Sequence, residues 1–169
     1  MIIRKATLDD LDDIANLERE CFPVNEAATK DDFRERLKTY PNHFLLLFLE
    51  GKLVAFIDGF CTDDADLTDE MYENPNLHDE SGDWQMIFGI NTHPDYRMQG
   101  NASKLMDCFI IQAKQEKRLG VVLTCKKELL DYYSKFGFVD EGISESVHGG
   151  VVWNQMRLAF KGELGCNKY

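Results

Sequence analysis

Proline is scarce, with four in 169 residues, and long apolar runs are missing. The longest block, beginning at Phe44, falls far short of the roughly 18–20 residues that a membrane span needs. Nor does the start, Met1-Ile2-Ile3-Arg4, show a basic region, an apolar stretch and a cleavage site in succession, so a secretory signal is not expected and the chain reads as cytoplasmic. The cysteines (Cys21, Cys61, Cys108, Cys125, Cys166) are odd in number and scattered. No pair has C-x-x-C spacing, which argues against a zinc site or other metal centre and against a disulfide framework. There is no G-x-G-x-x-G and no G-x-x-x-x-G-K-[ST], which disfavours a Rossmann or P-loop nucleotide binder. Positive charge is also short: 19 bases stand against 30 acids, a net −11. Nucleic acid is thereby disfavoured as a partner, because phosphate contacts need a surplus of Lys and Arg.

The chain has 44% hydrophobic and 29% charged residues, the composition of an ordinary globular protein. Its length is one domain's worth, and we expect a single domain over 1–160 with a loosely held tail over 161–169. The charge is uneven. Between Asp58 and Asp83 there are ten acids and no Lys or Arg, whereas between Arg97 and Lys135 eight bases face four acids. Solvated surface accounts for much of this. The alternative is an acidic rim for a cationic substrate beside a basic patch for an anionic cofactor.

Ile2 to Lys5 reads as a first strand. Thr7-Leu8-Asp9-Asp10 fits a capping box, and Leu11, Ile14, Leu17 and Cys21 mark one face of the helix that follows. A second helix is predicted over Asp31 to Tyr40, then two strands, Phe44 to Leu49 and Leu53 to Phe60, joined at Glu50-Gly51-Lys52. Thr62 to Asp83 is long, acidic and without periodicity, which predicts a substrate loop or mobile lid, or else a disordered connection. Trp84 to Thr92 reads as the central strand. Arg97-Met98-Gln99-Gly100-Asn101-Ala102 then opens a helix whose apolar face is Leu105, Met106, Phe109, Ile110 and Ala113. A strand (Val121 to Cys125), a short helix (Leu129 to Phe136), a strand after Gly137-Phe138 and a last strand (Val151 to Phe160) complete the chain. This order describes an α/β chain, mixed in the α+β sense, with helices on both faces of a mixed sheet. Its central β–α–β unit should be parallel and right-handed. A turn of bare N–H groups beside an arginine, at the positive end of a helix, suits a pyrophosphate.

Several of these features taken in order resemble the GNAT acyltransferase superfamily. They are the R-x-x-G-x-A stretch at Arg97 to Ala102, the strand before it, the long helix after it, and Tyr132-Tyr133-Ser134-Lys135-Phe136-Gly137-Phe138, which is similar to a Y-x-x-x-G-F signature. Cys21-Phe22-Pro23 with Glu26-Ala27-Ala28, Leu53 to Ile57 with Phe60, His93 and Tyr96 to Gly100 resemble the arylalkylamine N-acetyltransferase branch. The resemblance covers Ile3 to Leu158. It implies a mixed, mostly antiparallel sheet of six to seven strands with a splayed central parallel pair. It also implies acetyl-CoA as cofactor, held through its pyrophosphate by Arg97, Met98, Gln99, Gly100, Asn101, Ala102 and Ser103. The pantetheine arm would lie along Ile90, Asn91 and Thr92, as an added strand would, with Tyr133 and Phe136 also at the cofactor. Gly100 is expected to permit close approach of the backbone, and Ala102 to leave room.

Transfer of an acetyl group to an amine needs stabilisation of the carbonyl oxygen, for which a strand N–H near Ile90 to Thr92 is a candidate. It also needs a proton for the departing thiolate. Tyr133 fits, since an ordinary phenol holds its proton at neutral pH; a core aromatic is the plainer reading of its spacing. Finally, an alkylamine is only about one part in a thousand neutral at pH 7, a deficit of about 4 kcal/mol without a base. Where the vertebrate arylalkylamine enzymes carry two histidines, this chain has Met86 and Phe88. Glu26, His148 and His93 are left as candidate bases. Cys125 is disfavoured as a nucleophile, being placed in an apolar strand. Phe22, Pro23, Phe56, Phe60, Phe88 and Trp153 are the candidate substrate lining. The expected partner is a small cationic amine, arylalkylamine or polyamine, with no nucleic acid and no membrane, for a monomer or weak homodimer. The alternatives are acetylation of a protein or peptide, and a catalytically idle acyl-CoA-binding module.

Overall fold

In a computed structural model, which describes residues 1–161, the hydrogen-bonded strands form two sheets. The strands are β1 (Ile2–Lys5), β2 (Phe44–Leu49), β3 (Lys52–Asp58), β4 (Cys61–Thr62), β5 (Trp84–Ile87), β6 (Gly89–Thr92), β7 (Gly120–Cys125), β8 (Val139–Ile143) and β9 (Asn154–Ala159). The first sheet has the order β1-β2-β3-β6 and is antiparallel; the second has the order β4-β5-β7-β9-β8, with β5 and β7 its parallel pair. The helices are α1 (Leu11–Cys21), α2 (Lys30–Thr39), α3 (Asp69–Glu73), α4 (Asn101–Gln115) and α5 (Leu130–Ser134). A mixed α/β fold with helices on both faces is therefore observed. None of the helices in residues 1–161 is long and apolar enough to cross a membrane. The expected tail lies, past Lys161, outside the described residues.

The two faces have separate cores. On one, Ile14 and Leu17 of α1 and Phe33 and Leu37 of α2 cover Phe44, Leu46, Phe56, Met86 and Val122. On the other, Leu105, Met106, Phe109 and Ile110 of α4 cover Leu45, Leu47, Ile57, Ile87 and Leu123. Adjacent strand residues alternate between the faces, as the pleat requires. The second helix starts at Lys30 because Thr29 caps it. The Thr29 hydroxyl accepts from the Asp32 N–H (3.1 Å), and the Asp32 carboxylate accepts from the Thr29 N–H (2.8 Å).

The predicted central strand is broken. Phe88 N–H donates to Asp58 O (2.8 Å), while Gly89 is paired with the same Asp58. Two consecutive residues opposite one make a β-bulge, which turns a strand and ends its old pairing. Upstream, β5 stays beside β7 as far as Ile87 opposite Leu123. Downstream, β6 joins β3 instead, and Thr124 and Cys125 pair only with β9. A fork opens between β6 and the end of β7. A second tight approach keeps the sheets in register: a β-carbon on Gly59 would stand 1.7 Å from Met86 O, so no other residue fits there.

Residues 62–83 are ordered, which corrects the alternative of a disordered connection. The segment contains α3 and a 3-10 turn, Pro75–Leu77, and it buries Leu67 and Met71. Arg157 holds Asp66 (2.9 Å), and Val147 N–H donates to Asp69 (3.0 Å). At the far end Arg118 donates to the carbonyls of Glu80 (3.1 Å) and Gly82 (2.6 Å), and buried His43 meets Glu80 at 2.9 Å. The acids that look like a solvated run are partly anchors.

Candidate active site

The loop from β6 to α4 contains a 3-10 turn, Pro94–Tyr96, then Met98 and Gly100 at positive φ, 60° and 79°. Gly100 is the N-cap of α4, and its carbonyl accepts from Lys104 N–H (3.1 Å). The N–H groups of Met98 through Ser103 have no partner among the described residues. They surround the positive end of a fifteen-residue helix. Arg97 Nε donates to Thr92 O (3.1 Å), which holds its guanidinium at the loop, while Met98 is fully exposed. Buried Asn101 anchors the turn by donating to Tyr96 O (3.0 Å). Ser103 meets the Tyr132 hydroxyl at 3.4 Å, and Tyr132 stacks edge-on with Phe136.

A β-carbon on Gly100 would meet no protein atom within 4 Å, so within the protein itself what favours glycine at this position is its φ of 79°. Gly100→Ala is expected to cost about 1 kcal/mol, or about 2–4 °C in melting temperature, measurable by calorimetry on the free protein.

β6 offers an open edge. His93 N–H donates to Val54 O (2.8 Å), so by the alternation of an antiparallel ladder Gly89 and Asn91 also turn their amides toward β3. Ile90 and Thr92 turn theirs to the fork. The Asn91 side chain is buried on the α1 face, where its Nδ2 donates to Glu18 (2.6 Å).

A cavity of about 270 Å³ lies at this fork, and Phe22, Glu26, Phe88, Ile90, Tyr133, His148 and Trp153 all line it. Three expected lining residues do not. Phe56 and Phe60 are fully buried in the core against Phe33 and Tyr40, and Pro23 is not among the residues that line the cavity. Phe60 acts only from behind, packing on Phe88 at 4.9 Å. His93 also lies elsewhere, its Nε2 2.8 Å from Glu20. Tyr133 is 7% exposed, and burial holds its phenol well above the ordinary range. Cys125 reaches the cavity, but burial pushes its thiol up to about 11, which keeps it protonated and unreactive.

The cavity contains what sequence reasoning missed. Glu18, Asp32, Arg36, Asp58, Tyr72 and Glu73 also line it. Arg36 and Asp58, both almost fully buried, pair at 3.0 Å. Arg36 further donates to Tyr72 O (3.0 Å) and lies over the Phe88 ring at 5.1 Å. Glu18 accepts from Ala28 N–H (3.0 Å) and from Asn91, yet burial still raises its pKa. Tyr72 spans the fork to Thr124 (3.1 Å), with the His148 ring stacked on it at 5.3 Å. Near the mouth, Lys126 pairs with Glu26 at 2.9 Å, and Glu26 Oε2 is buried without a partner among the described residues.

Burial, reinforced by Glu18 and opposed by Arg36, pushes Asp58 up to about 7. The folded chain keeps a proton on Asp58 that the unfolded chain releases near 3.8. Stability from this group is therefore full below about pH 4 and is lost as pH rises through about 7. In Asp58→Asn, neutral throughout, urea unfolding should show a smaller decline in stability between these pH values than the parent.

A ring of free amides at a helix start, an open strand edge and a buried phenol facing the same fork are the parts of an acyl-CoA-dependent acyltransferase. The family model "Acetyltransferase (GNAT) family" matches residues 11–138, and the chain belongs to this family, whose cofactor is acetyl-CoA. Serotonin N-acetyltransferase of Mesocricetus auratus is 28% identical over 163 residues, covering 94% of this chain and 77% of that protein. The Homo sapiens enzyme of the same name is 26% identical over 133 residues, 78% of this chain. The chain spans 63% of that human relative, under two thirds of its length. Among solved structures, the GphF GNAT-like decarboxylase in complex with isobutyryl-CoA superposes with a TM-score of 0.82 at 22% identity, covering 94% of this chain and 99% of that one. It shares the fold.

Proposed function

We propose that this chain acetylates the amine of a small cationic substrate. The observation that carries this reading is the cavity itself. Five carboxyl groups (Glu18, Glu26, Asp32, Asp58, Glu73) and five aromatic rings (Phe22, Tyr72, Phe88, Tyr133, Trp153) enclose a space that opens onto the β6–β7 fork. Arg36 is matched by Asp58 and Lys126 by Glu26, so the lining has a surplus of negative charge. Such a lining favours an ammonium group carried on an apolar body.

The free amides of Met98 to Ser103 and Arg97 would hold the pyrophosphate of acetyl-CoA, and the outward amides of β6 would hold its pantetheine arm. The open space over Gly100 and the N–H groups left without an acceptor among the described residues fit that group. When bound, the cofactor supplies an activated acetyl thioester. The Ile90 N–H, on the fork side of β6, is placed to stabilise negative charge on an acyl oxygen. Tyr133 serves as proton donor to the departing sulfur. Phe22, Phe88 and Trp153 exclude water from the reacting amine and pack against its apolar part.

Thiol release with a panel of tryptamine, phenethylamine and spermidine tests this reading. Release that depends on the amine is expected. Binding of CoA without release on any amine would support the idle module instead, and release only with a peptide would support protein acetylation.

A further inference from the structure

The cavity floor holds a group suited to a step that the lining described so far does not perform. An alkylammonium must lose a proton before its nitrogen can attack, since only about one part in a thousand is neutral at pH 7. The two sheet faces provide an approach from each side of the fork. Tyr133 and Cys125 belong to the core under α4, while Phe88 packs with the core under α1 and α2. Asp58 sits on that second face. Its Oδ2 is held by Arg36, and its Oδ1 has no hydrogen-bond donor among the described residues. That oxygen lies 3.5 Å from where a β-carbon on Gly89 would stand, and the Asn91 Oδ1, buried and without a partner among the described residues, lies 3.2 Å from the same point. Gly89 thus leaves open the path from Asp58 to the fork.

We propose that Asp58, through Oδ1, accepts the proton that the substrate ammonium gives up. This rests on reading the cavity as an amine site. One N–H bond of the ammonium breaks, its electron pair stays on nitrogen, and an O–H bond forms on Asp58; the proton later leaves to water through the cavity mouth. The bulge puts Asp58 opposite Gly89, one residue from the Ile90 amide that faces the fork. A base on this face removes the proton on the side from which the amine arrives, and Tyr133 gives one on the other.

Glu26 is the nearest rival, since its Oε2 is also without a partner among the described residues, and the variants below separate it from Asp58. Glu26 Oε1 is tied to Lys126, and His148 Nε2 meets Glu26 O at 2.9 Å, with the ring clamped between Tyr72 and Trp153. The polar and charged groups facing Asp58 are Glu18 from α1, Arg36 and Tyr40 from α2 and its end, Tyr72 from the acidic segment and Asn91 from β6. Burial holds the Asp58 carboxyl up, Arg36, fixed in place, favours the carboxylate, and Glu18 opposes it. The result is a carboxyl that titrates near neutrality, which suits a base at physiological pH.

The experiment compares an alkylamine with a weakly basic aromatic amine that is already neutral at pH 7. In the parent, log kcat/KM for the alkylamine should rise with pH and bend near 7. Asp58→Asn should lose about 10²-fold at pH 7 on the alkylamine, lose the bend, and change less than about threefold on the aromatic amine, which arrives neutral and gives up its proton only after addition. Glu18→Gln, nearly isosteric, should move the bend to lower pH, because it removes the charge that holds Asp58 up. Glu26→Gln and His148→Asn should keep the bend near 7, whatever they do to KM. An equal loss on both amines in folded Asp58→Asn would overturn the proposal, as would a bend that persists in that variant or vanishes in Glu26→Gln or His148→Asn. If the parent transfers to no amine at all, it is the amine reading that fails.

Discussion

Replacing Tyr133 by Phe is expected to lower kcat by about 10²-fold while leaving the affinity for CoA nearly unchanged. The hydroxyl has no hydrogen-bond partner among the described residues, and the ring packs in the core beside Phe138 and Tyr132. Phenylalanine keeps that packing, so stability should change little. What it removes is a proton available to a departing thiolate, a contribution of the size that general acids make. Burial keeps the phenol protonated well past its ordinary range, so the parent should show no basic limb from this group below about pH 10. Steady-state thiol release measures kcat, and calorimetric titration with CoA measures the affinity. An unchanged kcat would remove Tyr133 from the chemistry.

The second large effect is on stability. Arg36→Met should destabilise the fold by about 3–5 kcal/mol at pH 8, because it leaves Asp58 buried without its cation. The carbonyl of Tyr72 also loses a donor. Asp58 can escape by taking a proton, so the loss should shrink markedly at pH 5. Adding Asp58→Asn to Arg36→Met should recover most of it. Urea unfolding at the two pH values reads all three variants, and a loss independent of pH would show that Arg36 stabilises by packing instead of by pairing.

Much of the frame is legible in the chain because it rests on local rules. The apolar spacing from Leu105 to Ala113 gives α4, and Glu50-Gly51 gives the β2–β3 hairpin, with both residues at positive φ. The phosphate-loop pattern is legible because it needs consecutive backbone positions. Tertiary pairing is not. Nothing in Trp84 to Thr92 announces that Phe88 and Gly89 will share Asp58, since a bulge is a choice made with the partner strand. Arg36 and Asp58 look like a surface helix residue and a strand end until they meet across 22 positions. Glu18 left a trace: it stands seven residues from Leu11 and four from Ile14, on the buried stripe of α1. An acid on an apolar stripe is a cue worth pursuing. The segment 62–83 misled because its acids bond to partners far along the chain, which no periodicity reveals.

Tyr72 joins three distant stretches of sequence: its carbonyl is grasped by Arg36, its hydroxyl meets Thr124, and its ring carries His148. It acts as a crossbar over the gap in the sheet. If the guest is the small amine proposed above, it has to fit the gap with the crossbar in place; an extended polypeptide would need all three attachments broken.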